Sequence, residues 1–152
     1  MIGARYGLDT NVLVLAHMPA LVGHDRVNRF LSSLARTEDT FLTVTPLVLH
    51  ELVHVITDPR RFDPPVAMSE AVALARSYVG RTNVDCIDVT GEAVALALDL
   101  LDRHHLGRKR VADTLLAATC ICHGVMTLVT CNLDDFSPFE NLTLLDPRVD
   151  HP

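Results

Sequence analysis

The sequence contains no tryptophan, and aromatic residues make up only 5% of its 152 positions. Its core must therefore be assembled from Leu, Val, Ala and Ile, with few large rings to anchor it. Lysine is almost missing as well: Lys109 is the only one, the other basic groups are Arg, and the formal net charge is −6. A chain without a basic excess does not look like a general duplex binder held by phosphate contacts. A nuclease remains compatible with this charge, because bound metal ions supply positive field where phosphate must sit. The four cysteines, Cys86, Cys120, Cys122 and Cys131, form no CxxC pair. They read as buried, reduced thiols rather than a metal knuckle or a disulfide frame. No apolar run approaches the ~18 residues of a membrane span. The N-terminal segment MIGARYGLDTN lacks the apolar stretch and cleavage site of a secretory leader. The expectation is a cytoplasmic protein with no membrane partner.

What is present is globular: 49% hydrophobic and 21% charged residues, enough for a single domain over 1–152 with a core from about 5 to 146. Residues 6–8 predict a short buried strand, 12–17 an apolar helical turn, and 24–36 a helix with Val27, Phe30, Leu31 and Leu34 on one face. A second strand is predicted at 41–45. Thr45 then caps a helix that starts with Pro46 and runs to about Thr57. Beyond the turn-rich RRFDPP segment follow a helix at 69–79, a strand at 84–89, and a helix capped by Thr90 that passes through His104 and ends at Gly107. A helix at 111–123 closed by Gly124, a strand at 126–130 and another at 142–145 complete the pattern. Alternation of strands and helices along the whole chain predicts an α/β sandwich with a mostly parallel central sheet. In such sheets ligands gather at the carboxyl ends of the strands.

Acidic residues recur at those ends. Asp9 directly follows the first strand, Glu51 lies early in the helix after the second, and Asp113 sits in the first turn of helix 111–123. Asn132, Asp134 and Asp135 follow the strand at 126–130. In a parallel sheet these groups can converge on one edge, where like charges raise one another's pKa unless a cation joins them. Hard oxygen ligands of this kind suit Mg²⁺ or Mn²⁺. Such ions orient a phosphodiester, neutralise its charge and activate a water for in-line attack. Any single Asp after a strand reads as a cap or turn residue; the joint pattern points to the chemistry.

Four segments carry a family resemblance: LDTNVLV at 8–14, the apolar helix bearing Glu51, VADTLLAAT at 111–119 and LVTCNLDDF at 128–136, with ITDPRRFDPP at 56–65 between them. Through them the chain resembles PIN-domain nucleases, and most closely the VapC toxins of type II toxin–antitoxin systems. The resemblance implies a PIN-like α/β/α sandwich and a Mg²⁺- or Mn²⁺-dependent endoribonuclease leaving 5′-phosphate and 3′-hydroxyl ends. It implies Asp9 and Asp113 as principal metal ligands and Glu51 as a further acid, acting directly or through water. Asn11 and Thr130 match small polar supporting residues. Many relatives have acids where Asn132 and Asp135 stand. Asp135 is taken as the fourth catalytic acid and Asn132 as a neutral supporting group, which leaves one- or two-metal operation open. A homodimer and a small VapB-type antitoxin, whose tail fills the active-site groove, are the implied partners beside the RNA substrate.

Other features compete with this assignment. Residues 50–54 read HELVH, the zinc-peptidase pattern in which His50 and His54 bind zinc and Glu51 activates water. VITDPRR supplies no third His downstream, although Glu70 could serve as a later ligand, and Glu51 lies about 100° around the helix from His50. A PIN-like protein that binds RNA or a partner without cutting is a further alternative, kept open by Asn132. The basic run RHHLGRKR at 103–110 either guides RNA phosphates through Arg108, Lys109 and Arg110, or is a solvated helix end. Arg60 and Arg61 pose the same choice. The apolar faces of helices 24–36 and 46–57 are either core or interface.

Overall fold

The computed structural model describes residues 3–152, and a five-stranded parallel sheet runs through its centre. The strands are β1 (Ala4–Leu8), β2 (Thr40–Val44), β3 (Val84–Cys86), β4 (Thr127–Val129) and β5 (Thr143–Leu145), in the spatial order β3-β2-β1-β4-β5. Tyr6 of β1 lies opposite Leu42 on one side and Thr127 on the other. The chain therefore builds outward from β1 through β2 to β3, then crosses back to lay β4 and β5 on the opposite side. The reversal creates a switch point between β1 and β4, at whose carboxyl ends the connecting segments diverge and leave a crevice.

The helices are α1 (Thr10–His17), α2 (His24–Arg36), α3 (Pro46–Ile56), α4 (Met68–Val79), α5 (Gly91–Arg103), α6 (Val111–Cys122) and the short α7 (Leu133–Phe136). They pack in two groups, α1 to α4 and α5 to α7, giving the α/β architecture expected from the alternating sequence pattern. The α2 stripe of Val27, Phe30, Leu31 and Leu34 is buried, as are Val48, Leu49, Leu52, Val55 and Ile56 of α3. Both apolar faces belong to the core rather than to a free interface. Each fully buried leucine among Leu8, Leu13, Leu34, Leu52 and Leu128 contributes roughly 2 kcal/mol by leaving water.

Local chemistry fixes the helix ends. The Val48 N–H donates to Thr45 Oγ1 at 3.2 Å and the Ala93 N–H to Thr90 Oγ1 at 3.1 Å, so both threonines act as the expected N-caps. Gly124 turns the chain out of α6 at φ 69°, a conformation in which a Cβ would be strained. After α5 the left-handed residue is His105, at φ 52°, rather than Gly107. The strands after β2 are shorter than expected: β3 stops at Cys86 and β4 at Val129. Cys86 is exposed, against the expectation of four buried thiols, while Cys120 is buried and all four cysteines are free. A 3₁₀ turn at Arg108–Arg110 and α7 were absent from the sequence expectation, since segments of three or four residues carry no readable periodicity. Among the described residues, no helix is long and apolar enough to cross a membrane.

Candidate active site

The crevice between β1 and β4 is organised around one buried carboxylate. Asp9 leaves β1 as the N-cap of α1, and the Thr10 N–H donates to its Oδ1 at 2.7 Å. The hydroxyl of Thr130, at the end of β4, donates to the other oxygen, Oδ2, at 2.7 Å. Thr130 is itself fully buried, and its Oγ1 also accepts the Asn132 N–H at 3.0 Å. The Asp9 backbone N–H donates to the Val129 carbonyl at 3.0 Å, clamping the two strand ends together. With only 8% of its surface exposed, Asp9 is a desolvated acid whose two oxygens each hold one donor.

Two more acids, Glu51 and Asp113, line the cleft with it, and a third, Asp135, lies next to Asp113 without lining the cleft. Glu51 projects from the second turn of α3, and its Oε2 accepts the Thr10 hydroxyl at 2.7 Å. Asp113 sits in the first turn of α6, where the helix dipole favours an anion. Asp135 of α7 is ion-paired with Arg110, whose guanidinium also lies 3.8 Å from Asp113. Asp9, Thr10, Asn11, Glu51, Asp113 and Asn132 line a cleft of about 300 Å³, flanked by Val14, Leu15, Leu21, Val55 and Arg61.

Electrostatics follow from this placement. Burial, followed by the like charges of Asp113 and Glu51, raises the Asp9 carboxyl to about 6 despite the opposing hydrogen bonds from Thr130 and Thr10. Burial also raises Asp113, with Asp135 and Glu51 adding to the rise and Arg110 opposing it. Desolvated like charges on all-oxygen donors are the chemistry a hard divalent cation satisfies, and the residues fit such an ion in that respect. As the side chains stand, no three His, Cys, Asp or Glu groups among the described residues are gathered tightly enough to hold an ion. Glu51 is turned onto the Thr10 hydroxyl, and Arg110 pairs with Asp135 and lies 3.8 Å from Asp113.

The remaining sequence candidates fall as follows. Asn11 braces the loop after β4, its Oδ1 accepting the Cys131 N–H at 3.2 Å. Asn132 is exposed on the cleft wall, and Asp134 is exposed outside it. Arg108 and Lys109 are exposed on the 3₁₀ turn, whereas Arg110 is drawn inward. His50 opens onto a separate groove between α3 and α4, lined by Val53, Val72, Ala75, Arg76 and Val79, while Glu51 lines the acidic cleft. The HELVH residues are thus divided between two surfaces. Arg60 is committed to Asp58, through Nη2 to Oδ2 at 3.0 Å, and Arg61 reaches the cleft rim. Sequence reasoning passed over Thr10, although its place beside Asp9 in LDTN is the signal that could have found it. It also passed over the pairing of Arg110 with the acids: its i,i+3 spacing to Asp113 is a local signal, whereas its pairing with Asp135 has none.

A parallel sheet with carboxylates gathered at its switch point defines an α/β protein that places acids around a cleft. The chain belongs to the PIN domain family, whose model matches residues 6–141. It is similar to ribonuclease VapC24 of Mycobacterium tuberculosis, at 29% identity over 145 residues, covering 92% of this chain and 94% of the relative. Among solved structures it resembles VapBC2 of Rickettsia felis bound to a DNA fragment from their promoter, with a TM-score of 0.66, 23% identity and coverage of 93% and 97%. It also resembles VapC20 of M. tuberculosis, a sarcin–ricin-loop-cleaving toxin, with a TM-score of 0.64, 17% identity and coverage of 81% and 86%. At these identities the structural likeness speaks for the fold.

Proposed function

We propose that the chain is a divalent-metal-dependent endoribonuclease, one nuclease domain over 1–152, acting in the cytoplasm as the toxin of a VapBC-type pair. Its partners in this reading are the RNA substrate, a small VapB-type antitoxin and a second copy of itself. The observation that carries the proposal is Asp9: a buried acid held at about 6 by its surroundings, at the switch point of the sheet, beside Glu51 and Asp113. Family membership and the likeness to a named ribonuclease support the same reading. PIN-domain nucleases generally use divalent ions, and Mg²⁺ or Mn²⁺ suits the oxygen donors present.

Asp9, Glu51, Asp113 and Asp135 would hold the ion, which supplies charge neutralisation at the phosphate and acidifies water. The chain's own residues do the rest. Thr130 and Thr10 fix both oxygens of Asp9 and restrict its rotation. The Thr10 hydroxyl holds Glu51 at the cleft. Arg61 at the cleft rim and the exposed Arg108 and Lys109 of the turn before α6 offer phosphate contacts, as exposed Arg and Lys do in steering RNA.

Incubation of the purified protein with total RNA tests the proposal. Wild type should cut RNA in Mg²⁺ or Mn²⁺ and not in chelator. Asp9→Asn and Asp113→Asn should abolish cutting while keeping the circular dichroism spectrum. RNA binding without products would favour the non-cutting alternative, and full activity in both variants would refute the site.

A further inference from the structure

Arg110 occupies a position its own helix disfavours. It is the N-cap of α6, and a helix N-terminus repels a cation. Its backbone is pinned on both sides: its N–H donates to the Gly107 carbonyl at 2.9 Å, and its own carbonyl accepts the Thr114 hydroxyl at 2.7 Å. The side chain alone is left to move, and it is partly exposed. What draws it inward is acid, since the guanidinium pairs with Asp135 and lies within 3.8 Å of Asp113. Its neighbours Arg108 and Lys109, on the same turn, point to solvent.

Building on the metal-dependent reading above, we propose that Arg110 is an internal counter-ion. It pairs with the acids of the cluster and competes with the divalent cation for Asp113 and Asp135. The argument is one of charge. Two carboxylates brought together need a cation, and the guanidinium fork bonds planar carboxylates well. A divalent ion at the same oxygens would repel the guanidinium, which already faces the positive end of α6. Ion and Arg110 therefore exclude each other, and Arg110 acts as a positioning residue that sets the cation concentration needed to load the site. Removing it should strengthen ion binding. A residue that merely held the acids in place would have the opposite effect.

The test is a Mn²⁺ titration of the full chain, with free Mn²⁺ read by electron paramagnetic resonance, for wild type, Arg110→Ala, Arg110→Gln and Arg110→Lys. In low salt the Ala and Gln variants should bind Mn²⁺ about three- to tenfold more tightly, as expected for release of a half-exposed ion pair. The Lys variant, which keeps the charge, should stay nearer wild type. Should the Ala variant fail to fold, Gln and Lys decide the matter. Equal or weaker binding in folded variants, beside a wild type that does bind, overturns this proposal alone. No Mn²⁺ binding by wild type overturns the metal reading and this proposal with it.

Discussion

Replacing Asp9 with asparagine should stabilise the ion-free protein, although it removes the central acid of the site. Burial and neighbouring acids hold the Asp9 carboxyl at about 6 instead of its ordinary 3.8. Between these values the unfolded chain has released the proton and the folded protein still keeps it. The folded state then binds more protons, so stability falls as pH rises through this window and levels off above it. A shift of roughly two units corresponds to about 3 kcal/mol, at about 1.4 kcal/mol per unit. The amide keeps an acceptor for the Thr10 N–H and can still meet the Thr130 hydroxyl, so about 1 kcal/mol of charge-assisted bonding is lost. The net gain is about 2 kcal/mol, or about 4–8 °C in melting temperature for a chain of this length. Thermal melts followed by circular dichroism in chelator, at about pH 4 and about pH 8, measure it. The gain should appear only at the higher pH, because in acid the wild-type carboxyl is protonated in the fold. A variant that melts below wild type at the higher pH, or a gain equal at both, refutes the reasoning.

Thr130→Val keeps the buried shape but removes the donor to Asp9 and the acceptor for the Asn132 N–H. A bond to a charged group is worth roughly 1.5–3 kcal/mol, and RNA cleavage at limiting Mn²⁺ should fall by about tenfold or more, read on gels. Gly7→Ala would push a Cβ to 3.0 Å from Cys120 Sγ and 3.2 Å from Leu128 Cδ1 beneath the site. Overpacking of this kind costs about 1–3 kcal/mol, measurable as a lower urea midpoint. Adding Mn²⁺ to the chelated wild type at about a hundred times its dissociation constant should stabilise it by about 2.7 kcal/mol. Asp113→Asn should lose that gain in the same melts.

Much of this was legible because strand ends announce themselves. Asp9 closes an apolar strand, Thr45 and Pro46 open a helix, and both readings agree with the structure. The stripe of α2 repeats at helical spacing and is buried as that spacing requires. Less legible were features set by long-range packing. The edge strands β3 and β5 were both expected, but β3 ends at Cys86 rather than at residue 89, and its edge position leaves Cys86 exposed. RHHLGRKR read as one basic run, yet Arg103 ends α5 while Arg108–Arg110 form a separate turn. The partner that separates Arg110 from Arg108 is Asp135, 25 positions away in the chain. Asn11, read from the sequence as a small polar supporting residue, lines the cleft and also accepts the Cys131 N–H, a contact across 120 positions that no local pattern signals.

The most direct trial is anomalous diffraction from crystals of the wild-type protein grown with Mn²⁺. A manganese peak among the carboxylates of Asp9 and Asp113, with the Arg110 guanidinium withdrawn from Asp113, is the predicted result. Manganese bound elsewhere on the surface, with the acidic crevice empty and Arg110 still paired, would contradict the account.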